Sequence, residues 1–423
     1  MTNLEPAVVP IPRRAQTLVE EALIDTPVVV VEGARQVGKS TLAQQVLTHR
    51  PGRLLTLDDE QVLAAAQYDP AAFVERQGPG VLVIDEVQLA PRLLRAIKAA
   101  VDADRRPGSY LLTGSANLLT MPGAQESLAG RAETVRLFGF SQGELTGSSD
   151  SLGQVLLSGH EDQLTEHQSS MGRTDYLNLI ETGSYPEAQT RTPRRRAVWV
   201  DNYVTRLLSR DADRMSALAH LDTLPQLLAV LAANTSGELV KARVAADVNL
   251  PETSLPPYLD LLESFGLIHT LRPWGRNLRQ RVVGRPKVAL LDTGVACRLG
   301  GLTASAMAIT EPNAARAGHL LETLVASELR KQSTWSEQPF DLFHFRQRSG
   351  SEVDIVLETP DRRVAGIEVK ASSTVDPRDF RGLHQLADMA GPGFTLGTVL
   401  HTGKNALRFG PKMWALPLSA LWQ

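Results

Sequence analysis

The chain has a single cysteine, Cys297, among its 423 residues. An internal disulfide is therefore excluded, and so is a zinc site built on several thiolates, which fits a reducing compartment. No apolar run approaches the ~20 residues that a membrane-spanning helix needs. Residues 1–14 include prolines and Arg13-Arg14 but no apolar signal core. We therefore expect a cytoplasmic protein with no membrane partner and no export signal.

The sequence also has little net charge. Its formal charge at pH 7 is -3, so any nucleic acid would have to bind a local basic patch rather than the whole surface. Apolar and charged residues make up 43% and 22% of the chain, as in an ordinary globular protein. At this length we expect about two to four domains, each with its own core.

One stretch fills the pattern G-x-x-x-x-G-K-[ST] at every fixed position. It follows four consecutive valines that predict a buried strand, and it precedes a helical pattern, so a loop that merely joins two elements is disfavoured. Gly33 and Gly38 let the backbone curl so that N–H groups point at phosphate oxygens, and the helix adds its positive dipole end. Lys39 is placed to reach the β- and γ-phosphates, and Ser40 to ligate Mg²⁺. The predicted ATP-binding residues are Gly33, Ala34, Arg35, Gln36, Val37, Gly38, Lys39, Ser40 and Thr41.

A second strand, 80–84, is fully apolar and ends in two carboxylates, Asp85 and Glu86. Such a run is typical of a central parallel strand that is buried on both faces. Downstream of a complete phosphate-binding loop, we expect Asp85 to hold Mg²⁺ and Glu86 to act as the catalytic base that polarises the attacking water. The alternative is that the two carboxylates only cap the following helix.

Two more polar residues are candidates for contacts with the γ-phosphate. The apolar strand 110–113 leads into Ser115, which we expect to contact this phosphate or to orient the water, with Thr113 as the second candidate; ordinary turn chemistry explains these residues equally well. Arg131 follows on a predicted loop. It would stabilise transition-state charge in its own subunit or across the interface of a homo-oligomer, and a solvated surface arginine is the competing interpretation.

The middle of the chain changes character. Residues 143–173 are rich in glycine and serine, which predicts a domain junction or a mobile lid. Three short helices over 224–265 and strands at 267–271 and 288–291 then make a winged-helix pattern. The stretch between these strands is basic and would suit DNA binding, although many winged helices contact only proteins. Its basic residues are Arg272, Arg276, Arg279, Arg281, Arg285 and Lys287.

The C-terminal region contains a predicted β-hairpin centred on Asp361. Residues equally far from that turn face one another, so Asp354 and Glu368 would lie directly opposite, with Cβ atoms about 5 Å apart. Lys370 is two residues further along and therefore on the same face. Two facing carboxylates beside a lysine suit a Mg²⁺ site for phosphodiester hydrolysis. An ion-pair ladder on a half-exposed hairpin explains the same pattern equally well.

Together these motifs resemble a family of bacterial and archaeal AAA-type P-loop ATPases whose C-terminal domain belongs to the PD-(D/E)XK nuclease superfamily. The resemblance covers nearly the whole chain and is carried by residues 33–40, 83–88, 112–115, 128–131, 183–187, 352–354 and 367–370. It implies that Asp354 and Glu368 ligate a metal, that Lys370 activates water, and that Glu322 is a further ligand. Glu328 on the same predicted helix is the alternative to Glu322.

The expected fold is α/β. It has a P-loop NTPase domain with a parallel sheet over 1–144 and a linker with a helical lid over 145–220. A winged-helix-like domain over 221–300 and a restriction-endonuclease-like α/β domain over 301–423 follow.

Three functional hypotheses remain open. The first, which the intact Asp354, Glu368 and Lys370 favour, is a Mg²⁺-dependent ATPase that acts on DNA and cleaves it with Mg²⁺ or Mn²⁺ at the second site. The second is an ATP-dependent regulatory or binding module whose nuclease-like domain does not cut. The third, a small-molecule kinase, is disfavoured by Glu86 and by the large appended domains.

Overall fold

The computed structural model describes residues 11–75, 80–114, 124–165, 167–211, 218, 220–277, 281, 284–309, 313–347 and 350–423. The chain divides into two units, Met1–Ser149 and Asp150–Gln423. Two residues singled out from the sequence, Ser115 and Arg279, lie outside the described residues. The finer division into four domains stays a prediction.

The first unit contains a five-stranded sheet in the order β2-β3-β4-β1-β5, in which every pairing is parallel. Its strands are β1 (Val28–Gly33), β2 (Gly52–Thr56), β3 (Val81–Asp85), β4 (Tyr110–Gly114) and β5 (Ala132–Leu137). The inner strands β1, β3 and β4 are buried along their whole length, which explains their continuous apolar sequences. Their carboxyl ends meet at one edge of the sheet, and that edge carries the predicted nucleotide site.

Seven helices of the first unit are described. They are α1 (Arg14–Asp25), α2 (Lys39–His49), α3 (Glu60–Tyr68), α4 (Pro70–Val74), α5 (Arg92–Ala103), α6 (Ala124–Leu128) and α7 (Gln142–Thr146). Helix α5 presents Leu93, Leu94 and Ile97 to the core that also contains Ile84 of β3. Each such side chain contributes about 1.5–3 kcal/mol by burial. Asp59 caps α3, as its position before the helix predicts: its carboxylate accepts the N–H groups of residues 61 and 62.

The second unit is built on a nine-stranded sheet in the order β13-β14-β12-β11-β10-β9-β7-β8-β6. Three pairings, β11–β12, β12–β14 and β7–β9, are parallel, and the others are antiparallel. The strands are β6 (Gly237–Glu238), β7 (Ile268–Pro273), β8 (Lys287–Leu290), β9 (Asp341–Arg346), β10 (Glu352–Glu358), β11 (Val364–Lys370), β12 (Phe394–His401), β13 (Leu407–Gly410) and β14 (Met413–Pro417).

The α-helices described in the second unit follow one another from α8 to α18. They are α8 (Leu152–Ser158), α9 (Arg173–Thr182), α10 (Pro186–Gln189), α11 (Pro193–Arg206), α12 (Leu224–Ala233), α13 (Lys241–Asp247), α14 (Leu255–Ser264), α15 (Thr293–Leu299), α16 (Ala304–Ile309), α17 (Asn313–Trp335) and α18 (Arg381–Ala390). A short π-helical turn, Leu207–Asp211, follows α11. Among the described residues, no helix has both the length and the apolarity needed to cross a membrane.

The central part of this unit places three helices beside three strands. Helices α12, α13 and α14 lie close to the positions that the sequence predicts, and β7 and β8 pair antiparallel as expected. The two-residue strand β6 joins β8 on its other side. At the far edge, β7 pairs with β9, so this small sheet continues into the sheet of the C-terminal region.

Candidate functional site

The loop after β1 has the backbone that its glycines predict. Gly38 has a φ of 100° and Gln36 a φ of 64°, both in the left-handed region. Glycine adopts this region without steric cost. At Gly33, a Cβ would run into the carbonyl oxygen of Leu137 on β5. Glycine is thus required there because two strands approach closely.

Lys39 is the first residue of α2, and it is buried. Its ammonium group donates to the carbonyl oxygens of Gly33 and Ala34, at 3.1 and 3.0 Å. Burial lowers the pKa of Lys39, while the carboxylates of Glu86 and Asp85 act in the opposite direction. The cation is therefore held inside the loop, where it can exchange carbonyl partners for phosphate oxygens.

Asp85 lies at the carboxyl end of β3 and is surrounded by hydroxyl groups. Ser40 donates to its two carboxylate oxygens at 3.1 and 3.0 Å, Thr113 donates to Oδ1, and Thr56 lies 3.4 Å from Oδ2. Hydroxyl and carboxylate oxygens are the hard donors that Mg²⁺ prefers, and Mg²⁺ needs only one or two of them because water and phosphates complete its shell. The donors therefore fit this ion. Thr56 was missed from the sequence, although it occupies the last position of the neighbouring strand β2.

Glu86 directly follows Asp85 and has a φ of 57°, which is unusual for a residue with a side chain. Its N–H group donates to the Thr113 hydroxyl at 3.3 Å, and its carboxylate accepts a hydrogen bond from the amide of Gln88. This turn directs the backbone away from the strand and gives Glu86 a fixed partner. Gln88 was not recognised from the sequence as part of the site.

Arg131 lies at the amino ends of the strands of the parallel sheet, whereas the nucleotide loop lies at their carboxyl ends. It precedes β5, whose first residue pairs with Val28, whereas the loop begins at Gly33, the last residue of β1. These two ends are five residues apart along the strand, a distance of roughly 16 Å. The guanidinium instead pairs with both carboxylate oxygens of Asp102, at 2.6 and 2.9 Å. The expected role at the nucleotide of its own subunit does not agree with this position.

Arg13, which was not predicted as a site residue, braces the loop from outside. It lies just before α1 and is buried. Its Nε donates to Glu144 at 3.2 Å, while its two terminal nitrogens donate to the carbonyls of Val37 and Phe138 at 2.9 and 2.6 Å. The guanidinium also lies 4.6 Å from the ring centre of Phe140. Burial lowers the pKa of Arg13, and Glu144 opposes that shift.

The C-terminal hairpin has the predicted register. Ile355 pairs with Ile367, and each further pair toward the turn keeps the same offset. Both strands are buried almost throughout, so the expectation of a half-exposed ladder is wrong. The ladder stops one step before Asp354 and Glu368, and these residues do not form the predicted directly opposed pair.

An irregularity in β10 explains why the ladder ends there. The register between β10 and β9 shifts between Val353 and Val356, so the strand has an extra residue near Asp354, as in a β-bulge. The Asp354 carboxylate turns toward β11 and accepts the N–H of Val369 at 2.9 Å. Bulges commonly redirect a side chain in this way.

Three carboxylates and two lysines gather at this end of the hairpin. Lys287 of β8 lies 3.2 Å from Asp354 and 3.4 Å from Glu322 of α17. Lys370 lies 2.9 Å from Glu368. The structure thus brings together all four residues that the resemblance implied. It adds Lys287, which the sequence had suggested as a wing residue. We call these five residues the carboxylate–lysine cluster.

Burial and mutual repulsion dominate the electrostatics of the carboxylate–lysine cluster. Burial first, and Asp354 second, raise the pKa of Glu322 and of Glu368 to about 8. Burial lowers the pKa of Lys287, but Asp354 and Glu322 outweigh it, so the net shift is upward. Burial likewise lowers the pKa of Lys370, but Glu368 and the other nearby carboxylates outweigh it, so that shift is upward too. Both lysines therefore stay protonated.

Of the two glutamates of α17, only Glu322 belongs to the carboxylate–lysine cluster. Glu328 forms its own buried ion pair with Lys331, at 2.6 Å. Among the described residues, however, no group of three or more His, Cys, Asp and Glu side chains is arranged to hold a metal ion. In this arrangement the implied ligands do not fit a metal, because the Lys287 ammonium takes a position between two of them.

The basic stretch between β7 and β8 is partly neutralised within the unit. Arg281 forms two bonds with Glu358, at 2.6 and 2.9 Å, and lies 4.9 Å from the ring centre of Phe343. Lys287 belongs to the carboxylate–lysine cluster. Of the six predicted basic residues, those described as exposed are Arg272, Arg276 and Arg285.

Comparison with protein families agrees with the geometry of the first unit. Residues 25–146 match the family described as the AAA domain. The first unit is therefore similar to AAA-type P-loop ATPase domains. Residues 173–306 and 317–421 match two families described as domains of unknown function, DUF8612 and DUF4143.

Similar proteins occur in mycobacteria. The chain is 28% identical over 365 residues to "Uncharacterized protein Rv2008c" of Mycobacterium tuberculosis, covering 86% of this chain and 74% of that one. "Uncharacterized protein Mb2031c" of Mycobacterium bovis matches with the same values.

Two solved structures show a distant likeness. The Walker-type ATPase PABY2304 of Pyrococcus abyssi is 17% identical and has a TM-score of 0.43, over 70% of this chain and 99% of that one. AMPPCP-bound DnaA from Aquifex aeolicus is 14% identical, with a TM-score of 0.29 over 62% and 93%.

Proposed function

We propose that the protein binds Mg²⁺–ATP at residues 33–41 and hydrolyses it. Ser40 and Asp85 would hold the ion, Lys39 would contact the β- and γ-phosphates, and Glu86 would accept a proton from the attacking water. When bound, the ion neutralises phosphate charge and orients the γ-phosphate. The observation that carries this proposal is the contact of 3.0–3.1 Å between the Ser40 hydroxyl and both oxygens of Asp85.

Phosphate release and nucleotide binding test this proposal separately. Lys39→Ala should lower ATP turnover at least a hundredfold, since it removes a cation aimed at the transferred phosphate. Glu86→Gln should retain ATP binding but lose hydrolysis, because the amide cannot accept the proton. Undiminished turnover in Lys39→Ala would refute the assignment.

The central region favours a winged-helix module. Its three helices, the β7–β8 hairpin and the added strand β6 appear in the chain order of that motif. Exposed Arg272, Arg276 and Arg285 support DNA as the partner, through contacts to the phosphate backbone. The internal pairing of Arg281 and Lys287 reduces the charge available for this contact. We expect weak, salt-dependent binding.

Two functions compete for the carboxylate–lysine cluster. One is cleavage of DNA with Mg²⁺ or Mn²⁺ held by Asp354, Glu368 and Glu322, with Lys370 activating water. The other is a module that binds nucleic acid or protein, or regulates the ATPase, without cutting. The contact of Lys287 with Asp354 and Glu322 favours the second, since an ammonium group satisfies the carboxylates that a metal would need.

A nuclease assay separates these two functions. The wild-type protein is incubated with single- and double-stranded DNA, with Mg²⁺ or Mn²⁺, and with or without ATP. The non-cutting module predicts no cleavage under any condition. Cleavage that is lost in Asp354→Asn, while ATP turnover is retained, would establish the nuclease instead.

A homo-oligomer would give Arg131 access to a neighbouring nucleotide. The Arg131–Asp102 pair is partly exposed, with 22% and 48% of the side chains accessible. We propose that Arg131 acts in trans. If the Arg131→Ala protein forms the oligomer with Mg²⁺–ATP and still hydrolyses ATP at the wild-type rate, the role of Arg131 in trans is ruled out.

A further inference from the structure

The Arg13 side chain joins three segments that are far apart in sequence. It holds Val37 of the nucleotide loop, Phe138 after β5, and Glu144 of α7. Glu144 in turn accepts the N–H groups of Arg14 and Ser141, at 2.7 and 3.0 Å. These contacts hold the Arg13 guanidinium in a fixed orientation next to the loop.

The contact with Val37 has a consequence for phosphate binding. A peptide unit is planar and trans, so its carbonyl and N–H groups point in opposite directions. Since Arg13 holds the Val37 carbonyl, the N–H of Gly38 in the same peptide must point away from Arg13. Inward-facing N–H groups at this position of the loop are the donors that cradle phosphates.

The charge of Arg13 is already balanced by Glu144, at 3.2 Å. Each of its three nitrogens donates one hydrogen bond, to a carboxylate or to a backbone carbonyl. This arrangement differs from that of Lys39, whose ammonium group lies inside the loop. Arg13 therefore acts on the phosphate site through the backbone.

We propose that Arg13 is a positioning residue that orients the Val37–Gly38 peptide for phosphate binding, with Glu144 holding Arg13 in place. This inference rests on the proposed binding of ATP at residues 33–41. It also makes the entry to α1 and the segment after β5 part of the nucleotide site. A substitution at Glu144 would then alter ATP affinity, although Glu144 does not belong to residues 33–41.

The experiment compares Arg13→Met, Arg13→Lys and Glu144→Gln with the wild-type full chain. Mg²⁺–ATP affinity, KM and kcat are measured, together with the thermal shift caused by ATP. We expect Arg13→Met to weaken ATP binding about tenfold, the size of one charge-assisted hydrogen bond. Its kcat at saturating ATP should change less than twofold, because bound phosphates themselves order the loop. Arg13→Lys and Glu144→Gln should show smaller losses.

Arg50→Met is the matched control. Arg50 also donates to two backbone carbonyls, those of Leu23 and Glu20, which belong to α1 and not to the nucleotide loop, and it is only partly buried. A purely structural role for Arg13 would lower the melting temperature with and without ATP and leave KM unchanged. That result would overturn the inference. If Arg13→Met does not fold, Arg13→Lys and Glu144→Gln decide by the same comparison of KM and thermal shift.

Failure of this inference is distinguishable from failure of the proposed function. If the wild-type protein binds ATP, Lys39→Ala does not, and the Arg13 and Glu144 variants bind like wild type, then only the positioning role is wrong. If wild type and Lys39→Ala both fail to bind ATP, the proposed nucleotide site is wrong, and the positioning role fails with it.

Discussion

Asp85 and Asp354 lie near strand ends in different units and are equally buried, each 5% exposed. Their surroundings differ. Asp85 accepts hydrogen bonds from hydroxyl groups of Ser40 and Thr113, which are neutral. Asp354 accepts a backbone N–H and pairs with the ammonium group of Lys287.

This difference has a physical consequence for cation binding. The hydrogen bonds to Asp85 come from neutral groups, and the nearby Lys39 ammonium donates to the carbonyls of Gly33 and Ala34 instead, so the Asp85 oxygens stay available to an external cation. A carboxylate paired with an internal lysine has its counter-ion already, and a divalent ion must displace it. Both sites contain a buried aspartate. The groups that bond to each aspartate determine whether its carboxylate is available to a metal ion.

The largest expected effect separates the two aspartates by their role in ATP turnover. Asp85→Asn should reduce ATP hydrolysis about a thousandfold, because the amide removes the charge that holds Mg²⁺. Asp354→Asn should leave hydrolysis within about twofold of wild type. Steady-state phosphate release measures both variants. Similar losses in the two proteins would remove the distinction between the sites.

The second prediction concerns the internal counter-ion. Lys287→Met leaves Asp354 and Glu322 without their cation, so the second unit should lose about 3 kcal/mol of stability. Urea denaturation with and without Mn²⁺ measures this loss, and Mn²⁺ should restore part of it while leaving wild type nearly unchanged. Lys241→Met, at an exposed lysine of α13, is the control. Equal Mn²⁺ effects in variant and wild type would contradict the displacement argument.

Acid should destabilise the second unit through His269. Burial, and secondarily Arg330, lower the pKa of His269 in the second unit to about 3. Below pH 6.5 the unfolded chain binds a proton on this imidazole that the folded chain does not, so stability falls with decreasing pH until about pH 3. The contribution is on the order of 3 kcal/mol by pH 4. Urea midpoints from pH 7 to 4 measure it, and His269→Leu should flatten the dependence. An unchanged slope in that variant would exclude His269 as the cause.

The smallest effect is expected for an ion pair that water reaches. Arg131→Gln should not measurably change the urea midpoint of the first unit, since exposed pairs contribute little to stability. Breaking the buried Arg281–Glu358 pair with Arg281→Gln should destabilise the second unit clearly, because it leaves the buried Glu358 carboxylate with the exposed Arg362 as its remaining ion-pair partner. Equal shifts of the urea midpoint in the two variants would show that burial does not determine how much these ion pairs stabilise the protein.

Local patterns predicted much of the fold. The strand before the nucleotide loop, the apolar strands ending at Asp85 and Gly114, and the cap at Asp59 depend on residues near in sequence. The hairpin register was predictable for the same reason, since a short turn determines which residues face each other. The bulge at Asp354 was not, because it depends on the pairing of β10 with β9.

Apart from Gln88, which bonds to Glu86 two positions away, the missed site residues depend on distant partners. Arg13 and Glu144 are separated by 131 positions, and Lys287 and Asp354 by 67. Arg13 stands in a short basic pair and Lys287 in a basic stretch, and both patterns are also typical of solvated surface residues. Nothing in their neighbours predicts burial. Thr56 was closer to prediction, as a hydroxyl residue at the end of a strand beside β3.

The sequence by itself was enough to predict where a phosphate would bind, because the loop, its glycines, the lysine and the start of the following helix are contiguous in residues 33–41. It also determined which residues carry the carboxylates near the ends of β3 and β10. Only the tertiary structure decided which groups bond to each carboxylate. These are hydroxyl groups at Asp85 and the ammonium group of Lys287 at Asp354. The physical reason is that a buried charge takes its properties from the nearest dipoles and ions, and those come from strands and helices that only folding brings together.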